Sequence, residues 1–220
     1  MNQTKRIYQI GAAGAGLSTL LLIAMLFVSL PHDMFYPGLD VLTGKLVLSG
    51  AEQVQYLNGM YLLYVLDSLF LLGWLLSWVA LAELVRSRLP LFGILTLIIG
   101  VAGALLDFSE NSITWGVLFH YASGFPVTAD WAVAWKAVQH LSYWLPFIGA
   151  VFAACGLWSR NGLDRLVALC GTVLIIPAAM GMYFPALFML SNVWFFLWFL
   201  LLTILLWRRA AELGDREEIS

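Results

Sequence analysis

Asp107, Glu110 and Asn111 fall within L-L-D-F-S-E-N-S-I-T-W-G, a stretch otherwise dominated by apolar residues. Two carboxyl groups three residues apart share a face of a helix, and a carboxamide follows directly. Such a trio can exchange protons, load a cation or steady a polar headgroup. The same face continues backwards through Gly103, Gly100, Thr96 and Gly93 and forwards to Thr114. Steps of three and four trace one stripe, with glycine at one end and ionisable groups at the other. The pattern predicts a close-packed helix seam that leads into a polar site.

Other ionisable residues interrupt apolar segments in the same way. Asp67 lies in Y-L-L-Y-V-L-D-S-L-F-L-L. Lys136, His140 and Tyr143 are spaced four and three apart, so they share a face, with Gln139 beside them. Pairing a base with an acid lowers the cost of either in an apolar medium. Lys136 is therefore expected to pair with Asp107 or Glu110, and His140 to lie near Asp67. The catalytic candidates are Asp67, Asp107, Glu110 and His140. The ligand-binding candidates are Asn111, Lys136 and Tyr143. The competing reading is that these polar pairs only lock helices together.

The elements that would hold these residues are membrane helices. The chain has 220 residues, of which 62% are hydrophobic and 11% charged. Water-soluble domains carry roughly 25% charged residues, so a soluble fold is excluded. Six stretches, approximately 7–30, 59–85, 89–119, 131–158, 163–182 and 186–207, are each long enough to span a hydrocarbon core. That needs about 20 apolar residues. The first follows Lys5 and Arg6 as a signal peptide would, but its apolar run is long and no A-x-A-like site precedes Pro31, so it is expected to be retained.

With the N-terminus inside, nine of the 11 Lys and Arg residues fall on the cytoplasmic side, leaving only Lys45 and Lys136 outside. This positive-inside bias puts both termini in the cytoplasm. The reading is one all-α domain over residues 1–220, a six-helix transmembrane bundle in the plasma membrane. Rise per residue then puts Asp67, Asp107, Lys136 and His140 in the outer half of the bilayer. A short interfacial helix is expected between Thr43 and Gln55, a kink at Pro177, and a short frayed tail from Glu212 to Ser220. Most of the ten tryptophans, Trp131, Trp158 and Trp207 among them, read as interfacial anchors.

Several chemistries lack their signatures. No H-x-x-x-H or H-E-x-x-H occurs, so His32, His120 and His140 with a carboxylate do not form a specific metal pattern, and neither metal nor cofactor is expected. No G-x-S-x-G elbow or glycine-rich phosphate loop appears. Ser68, Ser109 and Ser112 would need a base within reach to act as nucleophiles. Cys155 and Cys170 read as small packing residues. A net charge of −2 gives no reason to expect nucleic acid. The expected partners are membrane lipids, a small hydrophobic ligand, and a second copy or a larger membrane complex. The functional expectation is a polar ligand or catalytic site in the outer half of the bilayer, with lipid-directed enzymology favoured. A proton- or cation-coupled transporter and a structural subunit are the alternatives.

Overall fold

The computed structural model describes residues 3–29, 50–125, 128–158, 162–184 and 188–219. These form seven helices: α1 (Gln3–Ser29), α2 (Gly50–Arg86), α3 (Pro90–Ala122), α4 (Ala129–Leu157), α5 (Gly162–Cys170), α6 (Ile175–Tyr183) and α7 (Phe188–Ile219). Six segments are long and apolar enough to cross a membrane, the fifth being α5 and α6 taken together. The fold is that of a multi-pass integral membrane protein, all helical among the described residues.

Sequential spans pack side by side, and α7 closes the ring against α1. Lys5 on α1 approaches Gly214 on α7, so the two ends of the chain meet at the end of the bundle that also carries Arg88. The opposite end carries His120. Stripes of small residues set the spacing. Gly73 of α2 lies so close to α1 that an added Cβ would come within 2.5 Å of both the Gly14 carbonyl oxygen and Ser18 Oγ. The α3 stripe is buried at Gly93, Thr96, Gly100, Gly103, Glu110, Asn111 and Thr114, as its spacing predicts. On α4, Ser142, Pro146, Gly149, Ala153 and Gly156 are likewise buried.

The small residues make room for large ones. Trp78 of α2 is wedged between Gly100 and Gly149, where an added Cβ on either would come within 2.8 Å of its ring. Its neighbour Trp74 donates its indole N–H to the Gly100 carbonyl at 3.1 Å. Trp194 and Trp198 of α7 stack with centroids 5.5 Å apart, and Trp198 meets Trp78 at 6.2 Å. Phe70, Phe147, Phe195 and Phe199 complete this aromatic layer. Five of the ten tryptophans, Trp74, Trp78, Trp135, Trp194 and Trp198, are thus buried, which corrects the expectation that most are anchors. Trp131, Trp158 and Trp207 are exposed, as interfacial positions require.

Three element boundaries differ from expectation. Residues 50–55 belong to α2 itself, while 30–49 lie outside the described residues. The fifth span breaks at residues 171–174, ahead of Pro177. Pro177 then occupies the first turn of α6, where a missing N–H costs no intrahelical bond. The break leaves the Cys170 carbonyl available to Trp194 Nε1, which donates to it at 2.8 Å. The C-terminal helix runs on to Ile219, supported by Arg208–Glu212 and Arg209–Glu212 pairs at 3.0 and 2.7 Å.

Candidate functional site

The polar residues of α2, α3 and α4 meet toward the His120 end of the bundle, about one helical turn beyond the aromatic layer. Glu110 is the best defined of them. It is 6% exposed, and its carboxylate accepts from Gln139 Nε2 at 3.2 Å and from Ser142 Oγ at 2.9 Å. Both donors come from α4, so this carboxylate joins α3 to α4. Ser142 Oγ also lies 2.9 Å from the Gln139 carbonyl, so its single proton is shared between two acceptors. Thr114 donates to the Glu110 backbone carbonyl at 2.9 Å, which satisfies a hydroxyl that the apolar surroundings could not.

Asn111, 2% exposed, faces α2 instead. Its Nδ2 lies 3.5 Å from Oγ of Ser68, the residue that follows Asp67 on α2. Its Oδ1 is buried without a hydrogen-bond partner. Asp67 and Asp107 are half-buried. Asp107 and Glu110 stand three residues apart on one face of α3, and Asp67 on α2 directly precedes Ser68, which Asn111 contacts. Tyr143 of α4 follows Ser142, which holds Glu110, and its ring packs on Phe195 of the aromatic layer at 5.6 Å.

The bundle therefore brings Asp67, Asp107, Glu110, Asn111 and Tyr143 together. Lys136 is exposed and forms no ion pair with Asp107 or Glu110. Gln139 and Ser142 occupy the position that the lysine was expected to fill. The reason is a small rotation of register: the inward face of α4 runs through Trp135, Ser142, Pro146 and Gly149, and Lys136 lies to one side of it. His140 is half-buried on α4. The serine hydroxyls near the carboxylates are engaged with their own helices: Ser68 with the Tyr64 carbonyl at 2.8 Å, Ser109 with Leu105 at 2.8 Å and Ser112 with Phe108 at 2.9 Å. None of these three is held by a base, whereas Ser142 is, through its bond to the Glu110 carboxylate.

Among the described residues no three His, Cys, Asp or Glu side chains come close enough to share a metal ion. His120 is exposed and stacks on Trp131 at 6.2 Å, while His32 lies outside the described residues.

A second polar cluster, at the Arg88 end, escaped the sequence reading. Asp164, fully buried in the first turn of α5, accepts from Arg88 at 3.0 Å and from Arg209 at 2.7 Å to both oxygens. Arg209 also holds Glu212 at 2.7 Å, and Arg88 reaches the Gly156 carbonyl at 3.5 Å. One carboxylate thus ties the α2–α3 connection, α5 and α7 together. Its position near the N-terminus of α5 adds a favourable helix-dipole contribution. The signal available in sequence was only Asp164 itself, since its partners stand 76 and 45 residues away.

No family model, curated protein or solved structure matches this chain.

Proposed function

We propose that this protein holds a small amphiphilic ligand, drawn from the bilayer, at the cluster of Asp67, Asp107, Glu110 and Asn111. The charge asymmetry of the loops supports an orientation with both termini in the cytoplasm of a plasma-membrane protein, so the site belongs to the outer half of the bilayer. The observation that carries the proposal is the unfinished polar set: Asn111 Oδ1 is buried without a partner near carboxylates with which no lysine or arginine among the described residues forms an ion pair. A buried acceptor left unpaired costs roughly 1–3 kcal/mol, and a membrane carboxylate adds several more. Helices need no such group merely to pack.

The aromatic layer separates this cluster from the Arg88 end. That favours a dead-end site over a through-path, and hence a binder or lipid-directed enzyme over a transporter. In an enzyme, Glu110 is the group placed to exchange a proton, because Gln139 and Ser142 fix its orientation.

Native mass spectrometry of gently purified protein tests the site. The wild type should retain a small amphiphile that Asp107→Asn and Glu110→Gln lose. Equal retention of the same species by all three proteins would refute the assignment, as would no retained species from any membrane extract.

A further inference from the structure

The site's chemistry is one-sided. Its free hydrogen-bonding capacity is almost entirely acceptor capacity: the carboxylates of Asp67 and Asp107, the remaining lone pairs of Glu110, and Asn111 Oδ1. Of the donors among the described residues, Gln139 and Ser142 are used on Glu110 and the Asn111 NH2 on α2, which leaves the single proton of the Tyr143 hydroxyl against this larger set of acceptors. No lysine or arginine among the described residues forms an ion pair with any of the three carboxyl groups. An anionic headgroup would meet only like charge, and a neutral alcohol would offer a single proton to several acceptors.

We infer that the ligand is an organic cation, an ammonium group on an apolar body, whose N–H donors complete the acceptor set of Asp67, Asp107, Glu110 and Asn111. This rests on the ligand reading of the same site. An ammonium ion carries up to three donors and a compact charge, which suits acceptors arriving from two helices. A metal ion fits less well. It requires several ligands at about 2.0–2.6 Å, and no three His, Cys, Asp or Glu side chains here approach so closely. The apolar body follows from the surroundings. Leu105 and Phe108, on either side of Asp107, are exposed on the outside of the bundle, and Asp107 is itself half-exposed beside them.

The test uses the full chain in nanodiscs of a zwitterionic lipid, with radiolabelled dodecylamine as the probe and empty nanodiscs as background. Dodecylamine should bind saturably. Asp107→Asn and Glu110→Gln should each weaken it about tenfold or more, the loss of one charge-assisted contact. Unlabelled dodecanol and dodecanoate should not compete. Asn111→Ala, which leaves every charge in place, should weaken binding less than either charge-neutralising variant. Gel filtration and circular dichroism establish that each variant is folded.

If dodecanol or dodecanoate displaces the amine as well as unlabelled amine does, and the variants still weaken binding, the site stands and its cationic specificity is wrong. If dodecylamine binds the folded variants as tightly as wild type, both the specificity and the site are wrong. Absence of saturable amine binding, with an amphiphile still lost from the variants in mass spectrometry, overturns the cationic class alone.

Discussion

Replacing Asp164 by Asn preserves side-chain shape and removes the charge that ties three parts of the bundle together. Three charge-assisted bonds reach this carboxylate, at 3.0, 2.7 and 2.7 Å. Breaking one partner of a buried ion pair costs about 3–5 kcal/mol, because the other partner is left charged and unpaired. Here the partners are not sealed in: Arg88 is 35% exposed and Arg209 17%. Arg209 also keeps Glu212 after the substitution. Resolvation of the two guanidinium groups reduces the expected loss to about 2–4 kcal/mol.

The individual arginines should then rank by exposure and bonding. Arg88→Ala removes one partly exposed bond to Asp164 and a long contact to the Gly156 carbonyl, and should cost about 1 kcal/mol. Arg209→Ala removes two short bonds to a fully buried carboxylate and should cost about 2–3 kcal/mol. Reversible unfolding in mixed micelles, followed by tryptophan fluorescence, measures all three. The reasoning fails if Asp164→Asn costs less than about 1 kcal/mol, or if Arg88→Ala costs as much as Arg209→Ala. Dodecylamine binding to folded Asp164→Asn should match wild type, since the aromatic layer lies between this cluster and the ligand site.

Two further outcomes follow from the packing. Gly100→Ala and Gly149→Ala each push a methyl group toward the Trp78 ring and should destabilise by about 1–3 kcal/mol, whereas Gly16→Ala, whose nearest neighbour is 3.6 Å away, should be neutral in the same unfolding assay. Trp194→Phe keeps the aromatic stack but removes the donor to the Cys170 carbonyl, at an expected cost of about 0.5–1.5 kcal/mol; hydrogen exchange at the break between α5 and α6 should rise with it, and unchanged exchange would mean that this bond does not hold the break.

The parts of this architecture legible in the sequence are those set by periodicity. The α3 stripe could be read because Gly93, Thr96, Gly100 and Gly103 repeat at helical steps, and all are buried. Lys136 was misplaced because spacing fixes which residues share a face but not which face turns inward. Trp135 and Ser142 define the inward face, and Lys136 falls beside it. The tryptophans were misread for a different reason. Belt and core positions have the same composition, and only the matching of Trp78 to Gly100 and Gly149 on other helices separates them. Asp164 was missed because its meaning lies wholly in distant partners.

The contrast between the two polar clusters supports a site over a lock, because one molecule contains both. A lock should balance its charge, and the Asp164 cluster does: both carboxylate oxygens are bonded and two arginines face the one carboxylate, with Arg209 Nε the one buried atom of its guanidinium left without a partner. Its geometry is spent on joining helices. The Asp67–Asp107–Glu110 cluster joins helices too, through Gln139 and Ser142, yet a single carboxylate suffices for that. The remaining two carboxyl groups and Asn111 Oδ1 add cost beyond what that tie needs, and no lysine or arginine among the described residues forms an ion pair with them. Groups so expensive in a bilayer are accounted for when a ligand supplies the missing donors and charge.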